Sequence, residues 1–524
     1  MNVFSVGTKI RQCIWSRIET RLSTGPKSAS RWEREMKNLP LYWIAVLATL
    51  TACTSGVPYR NGDYGAIPSC EKTYGAYDAA LLSDAAPPIE EGDNCWKQSR
   101  ESHRDYDVLF VEFDDQGWVQ DAAKESNPTK ADHLSKLYES IKQIREKPDK
   151  TQQRLSIVVF VHGWQHTAEA TDSNVHAFRR LLRQVDTLEA AAAGQGPKPR
   201  VVGIYVGWRG RSLTIPILDN TTFWERKNTA ERVAQGQVQE LFRWLDLFRD
   251  TGTDPTTGER NVTVLTIGHS FGGLITFEAL SGEFVRNAVR FKRNVEKPND
   301  HYMSRVGDLV VIVNPAFEGA RYEVLRAAVR RLPDVERNQL PVVIVATSTA
   351  DVATRYFFPL ARWFDTVFEA TSGEEQSAIV LAVGHNPRYI THDLSLCEPG
   401  NTNCEEACKA ASGTASNILQ NNFAAKAARE YSYMFAIAER GFDHRKAKPG
   451  QQYLCDGLEL RWTEEAYPDH NPFWVVRTTD DIMHGHNDIF NANMVAFVRQ
   501  MYTGFVAARN QFNEKMRSQP KNRK

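Results

Sequence analysis

Residues 261–280 read NVTVLTIGHSFGGLITFEAL, and this stretch decides the fold. A β-branched apolar run, 262–267, stops at Gly268-His269-Ser270-Phe271-Gly272-Gly273, and a helix-forming run rich in Leu, Ala and Glu follows. Strand, tight turn and helix in that order turn the pattern G-x-S-x-G into a mechanism. The turn holds Ser270 on a strained backbone and lifts its hydroxyl above the sheet edge. Gly268 and Gly272 are required because strand and helix cross there too closely for a β-carbon. The helix that begins at once aims its N-terminal amides and positive dipole end at whatever is bonded to Ser270. The stretch is a nucleophile elbow.

On either side the chain alternates. Strands are expected at 107–113, 156–161, 200–206, 309–313 and 341–346, with a turn at 114–117 after the first. Helices are expected at 134–147, 174–185, 228–249 and 320–331, and the elbow helix runs to about 289. Continuous Val/Ile runs, rather than alternating ones, indicate strands covered on both faces. The reading is an open, doubly wound, mostly parallel α/β sheet over residues 106–505, with its site beyond the carboxyl ends of the strands. Between 385 and 472 the alternation lapses into a cysteine-bearing, Asn-rich insertion whose clear helical stretch is 410–437. It reads either as a lid over the site or as a surface excursion, placed before the last strand (473–477) and last helix (491–505). Residues 506–524 read as a polar tail, frayed at its end.

Bulk composition excludes some functions. A 524-residue chain with 42% hydrophobic and 24% charged residues and a mean hydropathy of −0.46 is an ordinary globular protein, long enough for two or three domains. Lys+Arg and Asp+Glu both number 64, so nothing points to nucleic acid or to an electrostatic membrane patch.

The N-terminal region carries an address. Residues 41–52, LYWIAVLATLTA, are uncharged and apolar, follow Arg31, Arg34 and Lys37, and end at Cys53. Twelve residues are too few to span a bilayer but suit the core of a secretory signal. Leu50-Thr51-Ala52-Cys53 resembles the lipobox of bacterial lipoproteins, in which such a cysteine takes a diacylglycerol and becomes the mature N-terminus. On that reading 1–53 is a leader, with Met36 a conventional start. Cys53 is the lipid attachment site, 54–105 is a tether, and the protein is an exported, membrane-anchored envelope lipoprotein. The alternatives are an organellar presequence and a short buried helix. Six cysteines remain beyond the leader: Cys70, Cys95, Cys397, Cys404, Cys408 and Cys455. In an exported protein they suggest disulfides, Cys70 with Cys95 and the other four among themselves. The alternative for Cys397, Cys404 and Cys408 is a metal site, although no histidine is suitably spaced.

A serine hydroxyl needs a base within hydrogen-bond reach, and the base needs a partner that fixes its tautomer. The acid is expected after the nucleophile and the histidine last. Asp351 lies in the loop after the strand 341–346 and is the expected acid, with Glu318 the runner-up one strand earlier. In Asp480-Asp481-Ile482-Met483-His484-Gly485-His486 the expected base is His486, with His484 the competitor and His385 a further candidate. The oxyanion donors are expected to be the amides of Phe271 and Trp164, with Gln165 as the alternative second donor; one such donor is worth roughly 3 kcal/mol. His162 reads as a loop brace, and Trp164 and Trp208 as core or as walls of an acyl pocket.

Together Phe160-Val161-His162-Gly163-Trp164, the elbow, Asp351 and Gly485-His486 resemble the α/β-hydrolase superfamily, esterase/lipase-like, over about residues 156–505. The resemblance implies acylation of Ser270 and release of the acyl group by water. The expected function is a carboxylic ester hydrolase acting on a small-molecule or lipid ester. It would need no metal or organic cofactor, bind no nucleic acid, and contact the membrane through its lipid anchor. Acyl transfer, amide or thioester hydrolysis on the same residues, and a catalytically silent binding module are the alternatives.

Overall fold

The computed structural model describes residues 58–60, 64–81, 89, 93–120, 133–146, 152–210, 223–254, 257–294, 305–332, 335–336, 338–366, 372–408, 423–442, 450–463 and 470–518. Nearly all of these belong to one of the two units into which the chain divides, residues 58–211 and 225–524. Cys53 and the apolar run before it lie outside the described residues, as do 519–524.

In chain order the described strands and α-helices are α1 (Glu71–Leu81), β1 (Arg100–Ser102), β2 (Tyr106–Phe113), α2 (His133–Arg145), β3 (Leu155–Val161), α3 (Ser173–Ala193), β4 (Arg200–Trp208), α4 (Phe223–Gln235), α5 (Val238–Thr251), β5 (Val262–His269), α6 (Phe271–Asn294), β6 (Leu309–Val313), α7 (Gly319–Val329) and β7 (Val343–Ser348). Then come α8 (Phe358–Thr366), α9 (Gly373–Val380), β8 (His392–Leu396), α10 (Thr402–Glu406), α11 (Phe423–Arg440), β9 (Gln451–Tyr453), β10 (Leu458–Trp462), β11 (Phe473–Thr478) and α12 (Ala492–Ser518). Eleven strands form one sheet in the order β1-β2-β4-β3-β5-β6-β7-β11-β8-β10-β9. From β2 to β8 every neighbouring pair is parallel; β1, β10 and β9 add antiparallel edges. The mostly parallel α/β expectation therefore holds.

β3, β5, β6 and β7, mostly Val, Ile and Leu with a few polar residues, are buried along their length because helices cover both faces. On one face Phe178 and Leu182 of α3, Met434 and Ile437 of α11, and Phe497 and Met501 of α12 pack with Val158, Leu265, Val311 and Ile344. On the other, Val264 and Thr266 of β5 meet Phe242 and Leu245 of α5 and Leu280 of α6. The period-2 alternation of β5 sends successive side chains to the two layers.

Four expectations need correction. The helix foreseen over 228–249 is two helices, because a β-carbon at Gly236 would collide with the backbone of Gly117, and Gln237 N–H donates to Gly117 O at 2.9 Å. The described strands of the insertion build sheet where a lid or surface excursion was expected: β8, β10 and β9 extend the sheet beyond β11 and spend their backbone hydrogen bonds on its edge. Its cysteines pair as Cys397–Cys404 and Cys408–Cys455, and Gln500 of α12 holds the Cys455 backbone. The C-terminal tail is helical to Ser518, tied down by Arg509–Glu189 and Arg517–Glu259.

The fourth correction concerns 54–105, whose described residues pack into the fold where a tether was expected. Cys70 and Cys95 form a disulfide beside a cluster of Tyr74, Tyr77 and Trp96. Below it Glu101 of β1 is wholly buried and accepts from Arg60 at 2.9 Å, from Arg179 at 2.7 and 2.9 Å, and from His103 at 3.2 Å. Burial alone would raise the Glu101 carboxyl pKa, but the two guanidinium groups outweigh it and hold the group well below its usual range. A buried charge that loses its partner costs about 3–5 kcal/mol. Glu101→Gln should therefore lower the stability read from urea unfolding by that order. A change under about 1 kcal/mol would contradict the role assigned to this cluster.

Candidate active site

Ser270 stands between the last residue of β5 and the first of α6, with φ of 55°. A non-glycine residue holds that left-handed conformation only when its surroundings impose it. Here they do. Ser270 N–H donates to Val313 O of β6 at 3.0 Å, while its carbonyl accepts from Leu274 N at 3.1 Å and Ala316 N at 3.3 Å. A β-carbon at Gly272 would collide with the carbonyl oxygens of Val161 and His162, and one at Gly268 would lie 2.8 Å from Gly272 O. One at Gly163 would lie 2.9 Å from Ser270 Cβ, so the loop after β3 presses on the elbow.

Two distant loops converge on this point. Ser270 Oγ is 2.8 Å from His486 Nε2, and His486 Nδ1 is 2.9 Å from Asp351 Oδ2. Asp351 is fully buried and lies three residues past β7; His486 lies between β11 and α12. Burial pushes the Asp351 pKa upward, but hydrogen bonding and charge from His486, with hydrogen bonds from Thr354, hold it below the usual carboxylate range. The carboxylate stays ionised at neutral pH and accepts the Nδ1 proton, and Nε2 faces the serine hydroxyl. That arrangement can take the serine proton as the oxygen attacks.

The His486 loop is fastened by groups to which the motif reading gave no role. Asn314 Nδ2 donates to the carbonyls of Gly485 at 3.2 Å and His486 at 3.0 Å, while its Oδ1 accepts from Ser348 N at 2.9 Å. Ser348 Oγ donates to Met483 O at 2.6 Å. His269 Nε2 lies 2.9 Å from His486 O and donates to it; burial, and next the neighbouring His486, hold this ring well below the ordinary histidine pKa. Asn314 could have been noticed as a polar residue directly after an apolar strand, and with φ of 45° it fills a position that Asn tolerates.

The other candidates have other places. His484 is exposed, and its amide donates to Asp488. Glu318 is buried among Lys227 at 2.9 Å, Arg321 at 2.7 Å and Arg362 at 2.9 Å, away from the serine–histidine line. His385 contacts Thr354 on the far side of Asp351. His162 is fully buried; its Nε2 accepts from Trp208 N–H at 3.1 Å, and Trp208 Nε1–H donates to His162 O at 2.7 Å. It braces the loop, and Trp208 is core. Gln165, with φ of 68°, donates its amide to Gly210 O at 3.2 Å. Cys53, the expected attachment site, is not among the described residues.

Compared with known proteins, the chain matches no family model and no curated relative. Among solved structures it is similar to phospholipase PlaB from Legionella pneumophila in complex with thio-NAD, at 14% identity and a TM-score of 0.20. The match covers 47% of this chain and 46% of that one, so the chain spans about half of that neighbour. So remote a likeness leaves the reading of the site to its geometry.

The cations around Glu318 give a pH prediction. Burial would raise its pKa, but Lys227 first, then Arg321 and Arg362, bring it down to about 2 from 4.5. A folded value below the unfolded one stabilises the protein above the unfolded pKa, and that contribution is lost as pH falls through the folded pKa. It is of the order of 3 kcal/mol. The stability gap between wild type and Glu318→Gln should therefore close as pH falls from about 4.5 to about 2. A gap that is constant over this window would contradict the assignment.

Proposed function

We propose that the protein is a serine hydrolase of carboxylic esters working through an acyl-enzyme on Ser270. The observation that carries this reading is the hydrogen-bonded line from Ser270 Oγ through His486 to Asp351, drawn from three separate strand ends. In this reading Ser270 attacks the ester carbonyl as His486 takes its proton. Asp351 keeps the imidazole in the right tautomer and faces the imidazolium that forms. The amides of Phe271 and Trp164 hold the oxyanion. Protonated His486 returns the proton to the leaving alcohol, and water activated by the same ring releases the acid. The chemistry needs no metal or organic cofactor.

Export and lipid attachment at Cys53 belong to the same reading. The apolar run ending at Cys53 supports it, as does the pairing of six cysteines into three disulfides, which suits an oxidising compartment. Among the described residues no helix is long and apolar enough to cross a membrane.

Nitrophenyl esters of rising acyl length test the reading. Ser270→Ala and His486→Ala should each lower kcat by about 10⁴-fold or more, and Asp351→Asn by about 10³-fold or more. His484→Ala should stay within about threefold of wild type, because the side chain plays no part in the line. Hydrolysis that survives Ser270→Ala removes the proposed nucleophile.

A further inference from the structure

We propose that Thr354 and His385 are positioning residues for Asp351, the fourth and fifth members of a hydrogen-bonded line that ends on Ser270. The proposal rests on the serine-hydrolase reading and extends it outward from the acid.

Thr354 sits in a single π-helical turn, Ala353–Phe357, entered directly from the loop that carries Asp351. Its amide donates to Asp351 Oδ1 at 3.1 Å, and its hydroxyl donates to Oδ2, the same oxygen that accepts from His486. Thr354 is itself 1% exposed, and Asp351 is fully buried, so this grip is sheltered from water. Both carboxylate oxygens are thus held from behind.

A threonine hydroxyl has one proton to give. That proton is committed to Asp351. At the 2.9 Å contact with His385 Nε2 the threonine oxygen therefore accepts, and the His385 ring donates. Burial lowers the His385 pKa to about 4, which agrees with a neutral ring at neutral pH. Its position is also built. A β-carbon at Gly384 would collide with the Thr347 side chain in β7, so only glycine lets the turn Val383–His385 lie against that strand. Val383 N–H donates to Phe317 O at 3.2 Å, and His385 N–H to Ala382 O at 2.9 Å, which anchors the turn beside the loop after β6.

The consequence is for orientation. A carboxylate free to rotate presents either oxygen to the imidazole at a range of angles; one held at both oxygens presents a single lone-pair direction, and His486 Nε2 then stays on Ser270. If Thr354 only filled space, valine would replace it without kinetic effect, since the two are nearly isosteric.

The test compares Thr354→Val with Thr354→Ser, and His385→Leu with His385→Gln, which keeps an N–H donor. Thr354→Val should lower kcat about tenfold with KM within about twofold of wild type, and Thr354→Ser should recover to within about threefold. His385→Leu should fall severalfold and His385→Gln less. Inactivation by an organophosphorus reagent, which reads Ser270 reactivity independently of ester binding, should slow in parallel. A Thr354→Val enzyme with kcat within about twofold of wild type, or a loss that serine does not recover, overturns the proposal. Those results with Ser270 dependence intact overturn it alone; a wild-type rate in Ser270→Ala overturns the functional reading with it.

Discussion

The structure turns on a shortage of room. At the end of β5 the chain must reverse into α6 within one residue, between the end of β3 on one side and the end of β6 on the other. Gly272 has no space for a side chain against the Val161 and His162 carbonyls, and Ser270 takes up the left-handed turn that remains. The conformation costs of the order of 1–3 kcal/mol, which the parallel strands on both sides must over-determine. Every other feature of the site follows from where that turn puts one hydroxyl.

The same crowding fastens the partner loops. Asn314 leaves the end of β6 and holds the carbonyls of Gly485 and His486 while accepting from Ser348 at the end of β7. His269, the residue before the serine, bonds the same His486 carbonyl. The His486 loop is therefore tied to the strands that deliver Ser270 and Asp351. Loops ordinarily move, and this one is pinned at its backbone beside Ser270.

Much of this could be read from residue order. The elbow was legible because its glycines, apolar strand and helix lie in one short window, and the parallel sheet because continuous Val/Ile runs alternate with helical spacing. Chain order singled out Asp351 and His486, and what the fold adds is the distances that bring them to Ser270. What could not be read depends on contacts between residues far apart in the chain. β1 and α1 are held by a buried Arg–Glu–Arg arrangement that no local pattern announces, so the segment read as a tether. β8, β9 and β10 are short and carry polar residues, and only the pairing of β8 with β11, β10 with β8 and β9 with β10 makes them sheet. Gly236 broke an unbroken helical pattern because of Gly117, more than a hundred residues earlier. Thr354 and Asn314 carry no motif, and their importance appears only once their partners do.

The most direct test of the central claim is covalent labelling. Native protein treated with an organophosphorus reagent should gain a single adduct, mapped by peptide mass spectrometry to Ser270, and labelling should fall steeply in His486→Ala. Folded protein that stays unmodified, or an adduct on another residue that persists in Ser270→Ala, would contradict the account.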